Sequence, residues 1–196
     1  MLNDKLKNYE IVLASASPRR KLLLEEMGIE FNVFIKNVQE VYPESFSPQE
    51  VAKHLSELKA SAFANDELLP NKLLITADTV VAIGNEILGK PTNEKNAFEM
   101  LSKLSDGEHD VITGVCLRTA SKTYSFTATT KVFFKELLEA EIDFYISKFK
   151  PFDKAGAYGI QEWIGHVAIE RIEGSYFNVM GLPTHRLYEE LVKFVE

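Results

Sequence analysis

The 196-residue chain contains one cysteine, Cys116. An internal disulfide is therefore impossible, and so is a zinc site built from several thiolates. Its four histidines, His54, His109, His166 and His185, are scattered and lack a ligand spacing such as His-Glu-x-x-His. No Gly-x-x-x-x-Gly-Lys-Ser/Thr stretch occurs, which removes the P-loop ATPases. No serine lies in a nucleophile-elbow pattern. Positive charge is in the minority: 22 Lys and Arg face 29 Asp and Glu, for a net charge of −7. That balance argues against a broad nucleic-acid-binding surface. There is no signal peptide and no long apolar span, so no membrane partner is expected and the cytoplasm is the expected compartment. Linkers, repeats and low-complexity tracts are also missing, and residues 1–196 read as a single domain. With covalent hydrolysis and zinc chemistry disfavoured, a water nucleophile, a carboxylate base and a hard divalent cation form the simplest remaining chemistry.

What the chain does have is an unusual start. The apolar run Ile11-Val12-Leu13-Ala14 leads directly into Ser15-Ala16-Ser17-Pro18-Arg19-Arg20-Lys21. This predicts a strand entering a helix, with Ser17 as N-cap and Pro18 in the first helical position. Three cations then fall in the first turn, the end that the helix dipole already makes positive. Each misplaced charge costs on the order of 0.3–1 kcal/mol. Free backbone N–H groups, serine hydroxyls and guanidinium forks together suit a phosphate chain.

Further along, apolar runs alternate with helical patterns, which predicts α/β architecture with a mixed sheet. Strands are expected over 10–14, 31–35, 73–83, 109–118, 122–134 and 167–172. Helices are expected over 18–27, from the capping box Ser47-Pro48-Gln49-Glu50, and over 93–104, 139–149 and 184–195. Gly84-Asn85 reads as a hairpin turn leading to Ile87-Leu88. Residues 151–166, with Pro151, Gly156, Gly159 and Gly165, read as a shaped loop.

Asp78 is the leading catalytic candidate. It interrupts the apolar segment Leu73-Leu74-Ile75-Thr76-Ala77-Asp78-Thr79-Val80-Val81, where a lone carboxylate needs a partner, a cation or a raised pKa. The competing reading is a strand-end aspartate satisfied by backbone N–H groups. Lys90, twelve positions on, can be folded back by the hairpin. Lys59 belongs to the exposed or cleft-facing side of its helix. Glu40, in a loop before Val41-Tyr42-Pro43, is either a surface charge or a second carboxylate for a metal. In Asp153-Lys154-Ala155-Gly156-Ala157-Tyr158-Gly159-Ile160-Gln161, the glycines permit close approach or unusual dihedral angles. Gln161 there offers both a donor and an acceptor to a base edge. Read in isolation, this stretch is first of all a structural turn.

Taken in order, these segments resemble the Maf family of nucleoside triphosphate pyrophosphatases. The likeness rests on Ser15 to Arg20, Ala77-Asp78-Thr79-Val80-Val81, Leu88-Gly89-Lys90-Pro91, Thr113-Gly114-Val115, Asp153 to Gln161, Gly174-Ser175-Tyr176 and Gly181-Leu182-Pro183. The resemblance implies a two-lobed α/β fold with an elongated mixed sheet, flanking helices and a central cleft, akin to the inosine triphosphate pyrophosphatases. It implies hydrolysis of a nucleoside triphosphate to the monophosphate and pyrophosphate, a Mg or Mn cofactor and a homodimer. Asp78-Thr79 and the 153–161 stretch are similar to the branch that acts on dTTP and UTP. By the same resemblance Asp78 is the proton acceptor. Arg19, Thr79 and Gln161 bear on substrate choice, and Ser15, Arg20, Glu40, Lys59, Lys90 and Gln161 match positions that handle substrate or metal. As oxygen-donor carboxylates, Glu40 and Asp78 are the expected metal ligands. Two alternatives stand beside this reading: a nucleotide-binding regulator of septum formation, and the same chemistry on 7-methyl-GTP. The chain departs from the family pattern at Glu162-Trp163 and in Ser105-Asp106-Gly107-Glu108-His109. Trp163 is thereby marked as a residue that could reshape a cleft wall or a subunit contact.

Overall fold

Short apolar runs bounded by turn residues become strands, and the amphipathic stretches between them become helices. The computed structural model describes residues 2–196, with the backbone alone at Asn3. In chain order it contains α1 (Leu2–Leu6), β1 (Glu10–Leu13), α2 (Pro18–Glu26), β2 (Asn32–Val33) and α3 (Pro48–Ser61). A 3-10 turn over Asn65–Leu68 precedes β3 (Lys72–Ile83), β4 (Glu86–Leu88), α4 (Glu94–Leu104), β5 (Glu108–Arg118), β6 (Thr123–Phe134) and α5 (Glu139–Phe149). A second 3-10 turn, Ala155–Ala157, is followed by α6 (Trp163–Val167), β7 (Ile169–Glu173), α7 (Tyr176–Met180) and α8 (Thr184–Phe194).

The strands pair in the order β2-β1-β3-β5-β6-β7, with β4 added to β3. β1 is parallel to both β2 and β3, whereas β4 runs antiparallel to β3 and β7 antiparallel to β6. This is the expected mixed sheet flanked by helices. The expected hairpin is present: Ile83 pairs with Glu86, and Gly84 takes a φ of +56° that a glycine adopts without strain.

Three expectations need correction. The strand expected over 31–35 is only Asn32–Val33, because its partner among the described residues, β1, ends at Leu13. Phe34 donates one last bond to the Leu13 carbonyl, and both Phe34 and Ile35 then lie exposed. The loop expected over 151–166 contains helical turns, and α6 delays the following strand to residue 169. Helices α1 and α7, five residues each, are too short for the periodicity argument to register.

The chain divides into two compact units, the first formed by residues through Asp78 with Thr113–Ala128 and Gly181–Glu196, the second by Thr79–Ile112 and Thr129–Met180. In the first, Val12, Leu74 and Cys116 from the sheet pack with Ala14, Ala60, Phe63 and Leu68. Burial pushes the Cys116 thiol up, which leaves it an inert core residue. In the second, Leu101 and Leu104 of α4 pack with Val132, Tyr145 and Ile146.

The second core also holds a buried polar pair. His109 Nε2 lies 2.8 Å from the Tyr158 hydroxyl, and both rings pack edge-on against Phe134. Burial lowers the His109 pKa from 6.5 to about 4. The unfolded chain therefore takes up a proton near pH 6.5 that the folded chain refuses until about pH 4. Stability is lost as the pH falls through that window, by about 2–3 kcal/mol at its acid end. Urea unfolding at pH 7 and pH 4.5 should show this loss, and His109→Gln should remove most of it. An unchanged difference in the variant would assign the acid sensitivity elsewhere.

Candidate active site

In the first unit the anion-seeking helix start is built as its sequence demands. Ser17 is extended, with φ −71° and ψ 117°, and its hydroxyl accepts from the Arg20 N–H. Pro18 opens the helix, and its first turn itself contains no acidic residue. Ser15 turns back as well, its hydroxyl accepting from the Ser17 N–H at 3.2 Å.

Arg20 is more tightly engaged than a phosphate-binding arginine on a surface would be. Its Nε donates to the Gly181 carbonyl at 2.8 Å, and its Nη1 donates to the Ala77 carbonyl at 2.7 Å and the Ser15 hydroxyl at 3.4 Å. The guanidinium thus fastens the start of α2 to the residue before Asp78. Burial lowers its pKa, Asp78 raises it, Arg19 lowers it and Glu40 raises it. The early arginine pair and the carboxylates therefore share one electrostatic neighbourhood. The side chain stays cationic, as arginine does throughout the accessible range.

Asp78 is placed by strand geometry. Pairing of β1 with β3 ends at Leu13↔Ile75, followed by the bond from the Ala14 N–H to the Ile75 carbonyl. Asp78 lies three residues on, beyond the carboxyl end of β1, where open α/β sheets place their ligands. Its side chain is only 12% exposed and accepts a hydrogen bond from the Lys59 ammonium, itself 18% exposed. The same ammonium lies 2.9 Å from Glu40 Oε1. Both carboxylates, 38 residues apart in sequence, thus converge on one cation.

Lys59 reaches this point because α3 is pinned to the sheet at two places. Thr76 Oγ1 donates to the Ser56 carbonyl at 2.6 Å. Asp78 follows Thr76 by two on the strand, and Lys59 follows Ser56 by three on the helix, so each shares a face with its anchor. Gly114 of β5 supplies the second pin: a Cβ there would lie 2.1 Å from the Ala52 carbonyl oxygen. Only glycine lets the backbones of β5 and α3 meet so closely. The helix itself is started by the expected capping box, with Ser47 and Glu50 exchanging both bonds.

Thr79, Lys90 and Gln161 belong to the second unit. Thr79 follows Asp78 in β3 and is half-buried. Lys90 is exposed just past β4, and the carbonyl of its neighbour Gly89 accepts from the Gly156 N–H at 3.0 Å. The segment bearing Lys90 is thereby tied to the stretch that carries Gln161. Within that stretch Gly156 has a φ of +66°, and a Cβ on it would lie 2.9 Å from Val81. The glycine does what close approach required, while Tyr158 packs and bonds to His109. Gln161 Oε1 is buried and accepts no hydrogen bond from the described residues. Trp163 packs edge-on against Phe144 of α5, with ring centroids 4.9 Å apart.

Sequence reasoning missed the groups that hold these side chains in place: the Ala77 and Gly181 carbonyls, and the Thr76–Ser56 bond. Main-chain carbonyls carry no sequence signal, and a buried threonine in an apolar run reads as an ordinary strand residue.

A family model described as Maf-like protein matches residues 10–194. The chain is 47% identical over 195 residues to the dTTP/UTP pyrophosphatase of Flavobacterium johnsoniae, covering 100% of both chains. It is 50% identical over 191 residues to the dTTP/UTP pyrophosphatase of Phocaeicola vulgatus, covering 97% of this chain and 98% of the relative. Among solved structures, a HAM1 protein from Coxiella burnetii superposes with a TM-score of 0.52 over 94% of this chain and 99% of its own. At 13% identity that likeness concerns the fold alone.

Proposed function

The chain belongs to the Maf-like protein family, and from that membership we propose that it is a nucleoside triphosphate pyrophosphatase acting on dTTP and UTP. The observation that carries the mechanism is the meeting of Asp78, Glu40 and Lys59 beside a braced, cationic helix start. Water attacks the α-phosphorus, the bridging bond to the β-phosphate breaks, and the monophosphate and pyrophosphate leave. Asp78 orients the water and accepts its proton. Lys59, Arg20 and Lys90 offset the charge that builds on the departing pyrophosphate. Ser15 and the N–H groups at the start of α2 bind phosphate oxygens.

Glu40 and Asp78 fit a hard divalent cation, Mg or Mn. Two oxygen-donor carboxylates already converge on one positive charge, and triphosphate oxygens and waters would complete the shell. Among the described residues no cluster of three His, Cys, Asp or Glu side chains forms a self-sufficient cage. Such a composition suits a metal that arrives with its nucleotide. When bound, the cation neutralises phosphate charge and polarises the bond that breaks.

Gln161 and Thr79 read the base. Uracil and thymine share an N3–H donor and an O4 acceptor, and the buried, unpartnered Gln161 Oε1 suits the first of these. A homodimer, by family resemblance, and a cytoplasmic location complete the reading. The test is pyrophosphate release from a side-by-side set of triphosphates with Mg or Mn. Release should be fastest from dTTP and UTP. Preference for 7-methyl-GTP would overturn the substrate assignment, and binding without release would favour a nucleotide-binding regulator.

A further inference from the structure

Asp78 and Glu40 are held in different ways. Asp78 belongs to β3, inside the sheet. Glu40 lies between β2 and α3, outside any strand or helix. The residues that follow it, Val41 and Tyr42, are exposed, so side-chain burial does little to fix the segment there.

Hydrogen bonds to the main chain take over that task. The Val41 N–H donates to the Gln39 carbonyl at 2.9 Å, the bond of a three-residue turn with Glu40 at its apex. The Val41 carbonyl lies 3.1 Å from His54 Nε2. A carbonyl only accepts, so Nε2 carries the proton and donates it. Both main-chain polar groups of Val41 are thus engaged directly after Glu40. His54 stands on α3, the helix that also presents Lys59, whose ammonium lies 2.9 Å from Glu40 Oε1. One helix therefore grips this turn twice, through the main chain beside Glu40 and through its carboxylate. The imidazole is itself supported by Phe46, whose ring meets it edge-on with centroids 5.5 Å apart. Before Glu40, Lys36 ties the segment to the far end of α3, donating to the Ala62 carbonyl at 3.1 Å and to Glu67 at 2.6 Å.

We infer that His54 is a positioning residue for the divalent cation: by holding the Val41 carbonyl it fixes the turn that carries Glu40, and with it the place where that carboxylate meets the metal. The inference rests on the metal-ligand role given to Glu40 above. A carboxylate on a loose loop must be ordered when the metal arrives, and the cost of ordering is subtracted from the affinity. Removing a group that orients a metal ligand typically weakens binding about 10- to 100-fold. His54 serves the site through the main chain and not as a ligand, which is why its sequence spacing carries no metal signature.

The experiment titrates Mn²⁺ into the protein with a non-hydrolysable dTTP analogue and follows free Mn²⁺ by electron paramagnetic resonance, with the analogue alone as blank. His54→Phe keeps a ring against Phe46 and loses the donor, and should weaken Mn²⁺ binding about tenfold. His54→Gln puts an amide N–H near the place of Nε2 and should stay within about twofold of wild type. Glu40→Gln should itself lose about tenfold or more. Adding His54→Phe to it should cost little further, since the turn then positions no ligand. In pyrophosphate release, His54→Phe should raise the Mg²⁺ concentration for half-maximal rate about tenfold and keep kcat at saturating Mg²⁺ near wild type. Unchanged Mn²⁺ affinity in His54→Phe, with a loss in Glu40→Gln, would overturn the positioning role and leave Glu40 at the metal. Equal losses in His54→Phe and His54→Gln would overturn it too, because the donated bond would then not be what counts. Unchanged affinity in Glu40→Gln would refute the metal role of Glu40 and the inference with it. Should His54→Phe fail to fold, His54→Ala strips the donor without adding bulk and takes its place, with the same loss expected.

Discussion

Asp78→Asn is expected to fold normally, bind nucleotide and lose about 10²- to 10⁴-fold in kcat, the range associated with removing a general base. The substitution preserves size and leaves an oxygen able to accept from Lys59, so the junction between β3 and α3 should stand. It removes the group that takes the proton from water and one of two carboxylates facing Lys59. Pyrophosphate release measures the loss. Circular dichroism and binding of a non-hydrolysable dTTP analogue establish that fold and site survive. Retention of full turnover would remove Asp78 from the chemistry and return it to the role of a strand aspartate satisfied by a lysine.

Gly114→Ala is expected to be the most damaging single-atom addition to the first unit. Its Cβ would stand 2.1 Å from the Ala52 carbonyl oxygen and 2.4 Å from the carbonyl carbon, both backbone atoms of α3. Neither can swing aside as a flexible side chain would. The helix must shift away from β5, straining the Thr76–Ser56 bond and moving Lys59 relative to Asp78. A destabilisation of about 3 kcal/mol or more follows from overpacking at a site without slack. The urea midpoint should fall accordingly, and the molecules that remain folded should show reduced kcat. Gly107→Ala serves as the control. Its nearest contacts would be at 3.7 Å, and its stability should change by less than about 1 kcal/mol. Equal stability of both variants would show that the α3–β5 contact gives way without cost.

Much of the local architecture was legible because its causes are local. Ser17 and Pro18 start α2, Ser47 and Glu50 cap α3, and Gly84-Asn85 turns the hairpin, all through bonds made within a few residues. A long apolar run marked β3, and stretches rich in Val, Thr and Phe marked β5 and β6, by pattern alone. The edge strand β2 was overestimated because its length depends on how far a remote partner extends. The candidate residues were also legible by type, since a carboxylate inside an apolar run and cations on a positive helix end are costly enough to be conspicuous.

The sequence by itself therefore determined the kinds of chemistry on offer, the mixed α/β arrangement and the excluded classes. These follow from side-chain chemistry and from periodicities of a few residues. Only the tertiary structure decided that one lysine joins Asp78 to Glu40, that Arg20 grips the main chain at Ala77 and Gly181, and that Glu162 turns inward beside Gln161. Each of those contacts joins separate elements or depends on which way a side chain turns; packing supports the first through the helix-to-strand approach at Gly114 and the last through the buried ring of Tyr145. Distances of that kind belong to the folded chain, where burial makes an unpaired charge too costly to leave without a partner.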